Sequence, residues 1–184
     1  MDYLWTPWRY HYITAAPAEP GVCVFCRAVA ADDHEALIVH RAAHNFVILN
    51  RFPYTSGHVM VVPFAHIATI EDLPEPALFE MMALARDAVK HLRVLYRPDG
   101  WNLGMNLGHS AGAGIAAHAH MHVLPRWTGD TSFITTAGET RVVPEALETT
   151  WEKLAGAFKA GQGVGRTAAT GGSTSRQQEV RPDH

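Results

Sequence analysis

The sequence lacks the features typical of membrane proteins, disulfide-rich secreted proteins and nucleic-acid-binding proteins. Its 184 residues include only two cysteines, too few for a disulfide framework. No apolar run approaches the roughly 18 residues that a membrane helix needs, and the first residues do not resemble a signal peptide. The net charge of −3 provides no electrostatic footprint for a nucleic-acid backbone. We therefore expect a cytoplasmic protein with neither a membrane nor a nucleic acid as partner.

Length and composition predict one globular domain with two flanking segments. The hydrophobic fraction of 47% and the charged fraction of 18% are ordinary for a globular chain. We place the domain at residues 23–160. An aromatic arm at 1–22 precedes it and is interpreted as a cover over the protein's own core, with a lid near a ligand as the alternative. Residues 161–184 are rich in small and polar residues and are predicted to form a disordered tail.

Hydrophobic periodicity predicts strands followed by a long helix, then more strands and a second helix. β-branched and aromatic runs predict strands at 36–40, 45–50, 58–63 and 101–107. Apolar residues at helical spacing predict the main helix over residues 77–96 and a shorter helix over residues 144–160. The first two strands are separated by a short polar break, which favours an antiparallel hairpin.

Three histidines alternate with apolar residues in the stretch 117–125. This alternation predicts a half-buried strand on which His118, His120 and His122 line one face, roughly 6 to 7 Å apart. The spacing suits a nucleophile flanked by groups that contact the same ligand. A metal-binding tract and a solvated histidine-rich edge are the alternatives. An expression tag is disfavoured because it would lie at a terminus and lack the apolar partners.

A loop of glycines and alanines at residues 108–117 leads directly into this strand. Small residues let backbone N–H groups approach an anion closely. A glycine-rich loop alone is usually only a flexible connection. Beside three histidines, however, the loop indicates an anion site.

Cys23 and Cys26 have the spacing of half a zinc site, so two further ligands must come from elsewhere. A thioredoxin-like redox pair competes with this interpretation, but that motif belongs in a βαβ unit, which the sequence does not predict here. A free buried pair is the third alternative. His66 follows the third strand and is a candidate ligand because the half-site is incomplete.

The histidine stretch resembles the signature of the histidine triad (HIT) family, H-φ-H-φ-H-φ-φ with φ apolar, at residues 118–124. The resemblance runs from about Cys23 to Phe133 and includes the patterns at 49–59, 106–112 and 125–126. Residues 3–9 and 126–133 are similar to a bacterial branch often described as diadenosine tetraphosphate phosphorylases.

The resemblance implies an α+β fold with a five-stranded antiparallel sheet, one long helix, a shorter C-terminal helix and a zinc knuckle near the N-terminus. It also implies a homodimer joined across the sheet edge. The implied cofactor is a structural zinc ion in a closed site, and its ligands would be Cys23, Cys26, His66 and His118.

The resemblance further implies an enzyme that cleaves dinucleoside polyphosphates at the α-phosphate. His120 matches the nucleophile, which forms a nucleotidyl-histidine intermediate that inorganic phosphate or water then releases. His122 matches the position that contacts the phosphate and the leaving oxygen, while His118 matches the residue that orients the site. The implied nucleotide contacts also include Asn50 at the ribose, Asn106 at the phosphate chain, and backbone N–H groups of Gly112, Ala113 and Gly114.

Two positions depart from the family pattern. Ile115 stands where many relatives carry a Ser or Thr hydroxyl, and Gly114 stands where Gln or Ser is frequent. Leaving-group assistance would then come from His122, Ser110 or the backbone. The missing hydroxyl makes phosphoramidate hydrolysis a less favoured alternative and leaves open a slow-turnover nucleotide sensor. A zinc-stabilised interaction module without nucleotide binding is a further hypothesis.

Overall fold

The computed structural model describes residues 22–130 and 145–165, with side chains described up to residue 161 in the last helix. The predicted aromatic arm, apart from Val22, and positions 166–184 of the predicted tail lie outside the described residues. In chain order the elements are α1 (Val24–Ala30), α2 (Asp33–Ala36), β1 (Ile38–Arg41), β2 (Asn45–Leu49), β3 (Val59–Pro63), α3 (Glu75–Tyr96), β4 (Gly100–Met105), a 3-10 turn (His109–Ala111), β5 (Met121–Arg126) and α4 (Leu147–Gly165).

The five strands form one antiparallel sheet in the order β1-β2-β3-β5-β4. This confirms the α+β fold with a five-stranded antiparallel sheet and one long helix. In the centre, β3 pairs with β5 so that Met60 is opposite His122. Among the described residues, strand β4 pairs only with β5 and forms an edge of the sheet.

Helix α3 packs on the sheet face that carries the core. Pro76 lies in its first turn, where a proline is tolerated because a backbone N–H at that position has no partner within the helix. Its buried residues include Met81, Leu84, Ala88 and Leu92, and they recur at the three- and four-residue spacing of one helical face. The helix begins two residues before the predicted position and ends at Tyr96, as predicted.

The strand predicted over residues 117–125 begins only at Met121. The preceding segment through His120 makes no ladder pair, since the pairings of β5 with β3 and β4 both start at Met121. Its backbone is held differently, because the Ala119 N–H donates to the Ile67 carbonyl at 2.6 Å. His118 and His120 therefore lie at the entrance to the strand rather than inside it.

Helix α4 covers the other end of the sheet. Leu154 and Phe158 are buried in the core, and the Trp151 indole N–H donates to the Ile38 carbonyl at 2.9 Å. The helix continues to Gly165, so positions 161–165, which composition assigned to the tail, are helical. Among the described residues, no helix is long and apolar enough to span a membrane.

Candidate active site and metal centre

The three predicted imidazoles form a row at the start of β5. His118 and His120 are almost fully buried, with 1% and 5% of their surface exposed, and His122 is half-buried. The rings of His120 and His122 lie 4.9 Å apart between centroids. The ring of Phe25, from α1, lies 5.3 Å from His118 and 5.0 Å from His120. Phe25 therefore packs against the first two histidines of the row.

The hydrogen bond of His120 defines which of its nitrogens is available for chemistry. Its Nδ1 lies 2.9 Å from the His118 carbonyl oxygen. A carbonyl oxygen only accepts, so Nδ1 carries the proton and Nε2 keeps a free lone pair. A neutral imidazole with a free Nε2 is a competent nucleophile at neutral pH.

His122 is oriented by a fourth histidine, His58, which is 1% exposed. The Tyr54 backbone N–H donates to His58 Nδ1 at 3.2 Å, so the neutral His58 ring carries its proton on Nε2. That Nε2–H donates to His122 Nδ1 at 2.9 Å. Because His122 Nδ1 accepts this bond, the neutral His122 ring carries its proton on Nε2. The two hydrogen bonds form a relay from Tyr54 through His58 to His122, and the His122 Nε2–H is not used by His58.

Burial keeps the histidine row uncharged. Removal from water lowers the pKa of His118 and of His120 below the usual histidine value, although a backbone carbonyl contact acts in the opposite direction for each. Burial lowers the pKa of His122 to about 4, and repulsion from His120 adds to the effect. At neutral pH the row thus offers one free lone pair at His120 and one N–H donor at His122.

Asn106 follows directly after β4. Gly104 is paired with His122, and Met105 with Met121 is the last pair of the β4–β5 ladder, so Asn106 lies one residue beyond that ladder. Residues directly opposite in an antiparallel pair lie on the same sheet face. Gly104 has open space where a Cβ would stand, so no side chain from β4 covers His122 at that position.

The glycine loop contains the 3-10 turn and two glycines at positive φ, Gly108 at 78° and Gly112 at 81°. Within this turn the Gly112 N–H donates to the His109 carbonyl at 2.9 Å, and the Ala113 N–H donates to the Gly108 carbonyl at 3.3 Å. An anion cradle at these two amides would require those bonds to be shared or broken. Gly114, the third predicted amide of the cradle, is exposed.

Asn50 follows β2 directly and is linked to the His58 segment. Its backbone N–H donates to the His58 carbonyl at 3.0 Å, and its side-chain oxygen accepts the Phe52 N–H at 2.8 Å. Asn50 is half-buried, so its amide nitrogen remains a candidate contact for a ribose hydroxyl. Ile115 is partly buried and packs against the hydrophobic core.

The structure brings the four predicted metal ligands together. Atoms of Cys23, Cys26, His66 and His118 that could bind a metal all lie within 4.8 Å of one another. Cys23 Sγ is 3.4 Å from His118 Nδ1, Cys26 Sγ is 3.3 Å from His66 Nδ1, and Cys26 Sγ is 3.8 Å from His118 Nδ1. Ligand atoms around a tetrahedral zinc ion, with bonds near 2.0–2.3 Å, are separated by about 3.3–3.8 Å. The cluster therefore has the size of a tetrahedral metal site.

The protonation of His118 also fits a metal ligand. Its Nε2 lies 2.9 Å from the Pro63 carbonyl oxygen, so Nε2 carries the proton and the Nδ1 lone pair points to the cysteines. A backbone carbonyl that accepts the other ring N–H commonly orients a metal-binding histidine. The two cysteines are at the start of α1, where Cys23 is the N-cap. Thus a short helix, and not a loop alone, supplies two of the four candidate ligands.

Comparisons with known proteins agree with this geometry. The family model for the HIT domain matches residues 32–129, just over half of the chain. The chain belongs to the HIT family. This HIT protein is 39% identical over 166 residues to a Mycobacterium tuberculosis protein named AP-4-A phosphorylase, covering 84% of this chain and 83% of the relative.

Solved structures of HIT proteins have the same fold. A Zn-bound histidine triad family protein from Mycobacterium smegmatis superposes with a TM-score of 0.62 at 28% identity, over 77% of this chain and 96% of that one. A hypothetical histidine triad nucleotide-binding protein from Sulfolobus tokodaii has a TM-score of 0.61 at 25% identity, over 75% of this chain and 93% of the other.

Sequence reasoning assigned no role to two residues of the site, His58 and Phe25. The sequence places His58 only at the start of the third predicted strand and within the family pattern at 49–59, and in the structure it lies one residue before β3. Its place next to His122 depends on the pairing of β3 with β5, which is a non-local contact. Phe25 lies between the two cysteines and carried no signal beyond its hydrophobicity.

Proposed function

We propose that this HIT protein is a nucleotide phosphorylase or hydrolase that cleaves dinucleoside polyphosphates such as diadenosine tetraphosphate. The observation that carries the proposal is the buried, neutral His120, whose Nδ1–H donates to the His118 carbonyl and leaves Nε2 free. The substrate class is supported by the name of the 39% identical M. tuberculosis relative.

In the proposed reaction, the lone pair of His120 Nε2 attacks the α-phosphorus of the bound nucleotide. The bond from that phosphorus to the bridging oxygen breaks, and the electron pair leaves with the nucleoside polyphosphate. The resulting nucleotidyl-imidazolium keeps its Nδ1–H on the His118 carbonyl, which stabilises the positive charge. Covalent catalysis divides one difficult displacement into two easier ones.

His122 is the proposed donor to the leaving oxygen. The His58 contact holds its Nδ1 as an acceptor, so its Nε2–H is available to the departing phosphate. Ser110 and the backbone are alternative donors from the sequence, and Ile115 offers no hydroxyl. An oxygen of inorganic phosphate then attacks the phosphorus, and neutral His120 is released. With water as acceptor the same steps give hydrolysis.

Zinc is the metal that we propose for the Cys23, Cys26, His66 and His118 cluster. Two thiolates and two imidazoles form a donor set typical of structural zinc, and all four positions of the tetrahedron are filled by protein. The ion would cross-link the start of α1 to the segment before β5. The Zn-bound relative from M. smegmatis supports this choice.

We also propose that two copies associate through the edge strand β4. Leu103 on this strand is 46% exposed, and no strand from residues 22–130 or 145–165 lies beside the outer edge of β4. Exposed strand edges are the usual sites of pairing with a second chain. Light scattering should give twice the chain mass for the wild type and a lower mass for Leu103→Lys.

Turnover of diadenosine tetraphosphate tests the function. Wild type and His120→Ala should be compared with and without inorganic phosphate, with the products separated. ADP together with ATP, formed only when phosphate is present and only by the wild type, supports the phosphorylase. AMP and ATP without phosphate indicate a hydrolase. Equal, negligible rates in both proteins despite tight nucleotide binding would favour the sensor hypothesis.

A further inference from the structure

Helix α1 connects the metal cluster with the candidate nucleophile. Cys23 is its N-cap and Cys26 lies in its first turn. Between them Phe25, 3% exposed, is the one buried residue of the helix. Its ring is in contact with His118, a candidate metal ligand, and with His120.

Helix α1 depends on the rest of the chain for its stability. It contains seven residues, and an isolated helix shorter than about 12 residues is marginally stable in water. Val24, Ala28 and Val29 pack against the core, and the Arg41 guanidinium donates to the Val29 carbonyl at 3.1 Å. The contacts of α1 with the histidine row are made by Phe25 and the two cysteine sulfurs.

Besides the His122 ring, two contacts constrain the His120 ring, and both are linked to the metal cluster. One is the His118 carbonyl, which accepts the Nδ1–H at 2.9 Å, while the side chain of the same residue faces the cysteines. The other is the ring of Phe25, carried by the helix on which the cysteines lie. His118 is itself held by the Pro63 carbonyl.

We propose that Phe25 is a positioning residue that couples the metal cluster to His120. When the four ligands are held together, α1 and the His118 carbonyl fix the His120 ring with Nε2 directed towards the substrate. When the ligands separate, the ring gains rotational freedom and loses its single tautomer. The catalytic consequence depends on the proposed function, whereas the effect on the His120 ring does not.

The test compares Phe25→Leu with the matched control Phe46→Leu. Each variant removes one buried aromatic ring, but Phe46 packs against Phe64 in the core. Histidine side-chain nitrogen NMR is recorded on protein whose metal content has been measured. We expect one Nδ1–H tautomer for His120 in the wild type and in Phe46→Leu, and mixed signals in Phe25→Leu. Wild type treated with a chelator should show the same change as Phe25→Leu.

Turnover provides the second measurement. We expect kcat to fall at least tenfold in metal-loaded Phe25→Leu with KM changed less than threefold, while Phe46→Leu retains wild-type kcat. If Phe25→Leu does not fold, Phe25→Met is measured in its place, because chelation alone does not test the Phe25 ring. Unchanged His120 signals in either the variant or the chelated protein would overturn the proposal. If the wild type does not cleave the dinucleotide, the proposed function fails and the NMR comparison still decides the coupling.

Discussion

Replacing His58 by phenylalanine tests whether the relay from Tyr54 through His58 to His122 controls leaving-group departure. The change keeps a ring at a position that is 1% exposed, but it removes the bond from the Tyr54 N–H and the bond to His122 Nδ1. His122 Nδ1 then loses its donor, and its proton is no longer restricted to Nε2. The variant should therefore bind nucleotide normally and turn over slowly.

The magnitude follows from the hydrogen bond that is lost. A buried polar group left without its partner costs about 1–3 kcal/mol. Since each 1.36 kcal/mol in the activation barrier is a factor of ten in rate, kcat should fall by roughly 5- to 150-fold. His58→Gln, whose amide can donate to His122, should recover part of this loss.

Steady-state kinetics and histidine nitrogen NMR together check the prediction. The expected result is a lower kcat with a nearly constant KM, and a His122 signal that changes from the Nε2–H tautomer to a mixture. A purely structural role of His58 would not change the tautomer. The reasoning is refuted if His58→Phe keeps kcat within twofold of the wild type and His122 keeps its Nε2–H.

Three further predictions concern the metal, the fold and pH. His66→Ala should reduce bound metal from about one ion per chain to near zero by elemental analysis and lower Tm; full metal retention would contradict the four-ligand site. Glu80 accepts the backbone N–H groups of residues 43–45, so Glu80→Gln should lower Tm by about 2–8 °C in calorimetry, and an unchanged Tm would argue against this role. Burial, and to a smaller extent repulsion from His120, lowers the pKa of His122 to about 4 in the folded protein. The unfolded chain therefore binds more protons at this residue, and the free energy of unfolding decreases as the pH is lowered from about 6.5 to 4. Urea unfolding should show a weaker pH dependence in His122→Phe, and an identical dependence would contradict the shift.

The fold could be predicted largely from local patterns. The bounds of helix α3 were predicted to within two residues because apolar residues such as Met81, Leu84 and Leu92 recur at the three- and four-residue spacing of a helical face along its 22 residues. The histidine strand was predicted too early, since alternation continues through residues 117–120 although the ladder starts at Met121. Tertiary contacts determine that segment: the Ala119 N–H bonds to Ile67 and the His118 ring to Pro63.

The site could be predicted in part. The spacing of the cysteines indicated half a metal site and made His66 a candidate ligand, and the family resemblance added His118. The structure brings all four residues together. The relay through His58 could not be predicted, because it depends on which strands pair and in which register. The contact of Phe25 with two histidines is equally non-local.

The central claim is that His120 forms a covalent bond to the nucleotide. A single turnover with diadenosine tetraphosphate labelled at the α-phosphates, stopped by rapid denaturation at alkaline pH to preserve a phosphoramidate, tests it directly. The account predicts label on the peptide that contains His120 in the wild type, formed together with the released ATP and before ADP or AMP, and no label in His120→Ala. Turnover without any labelled protein, or label of equal amount in His120→Ala, would contradict it.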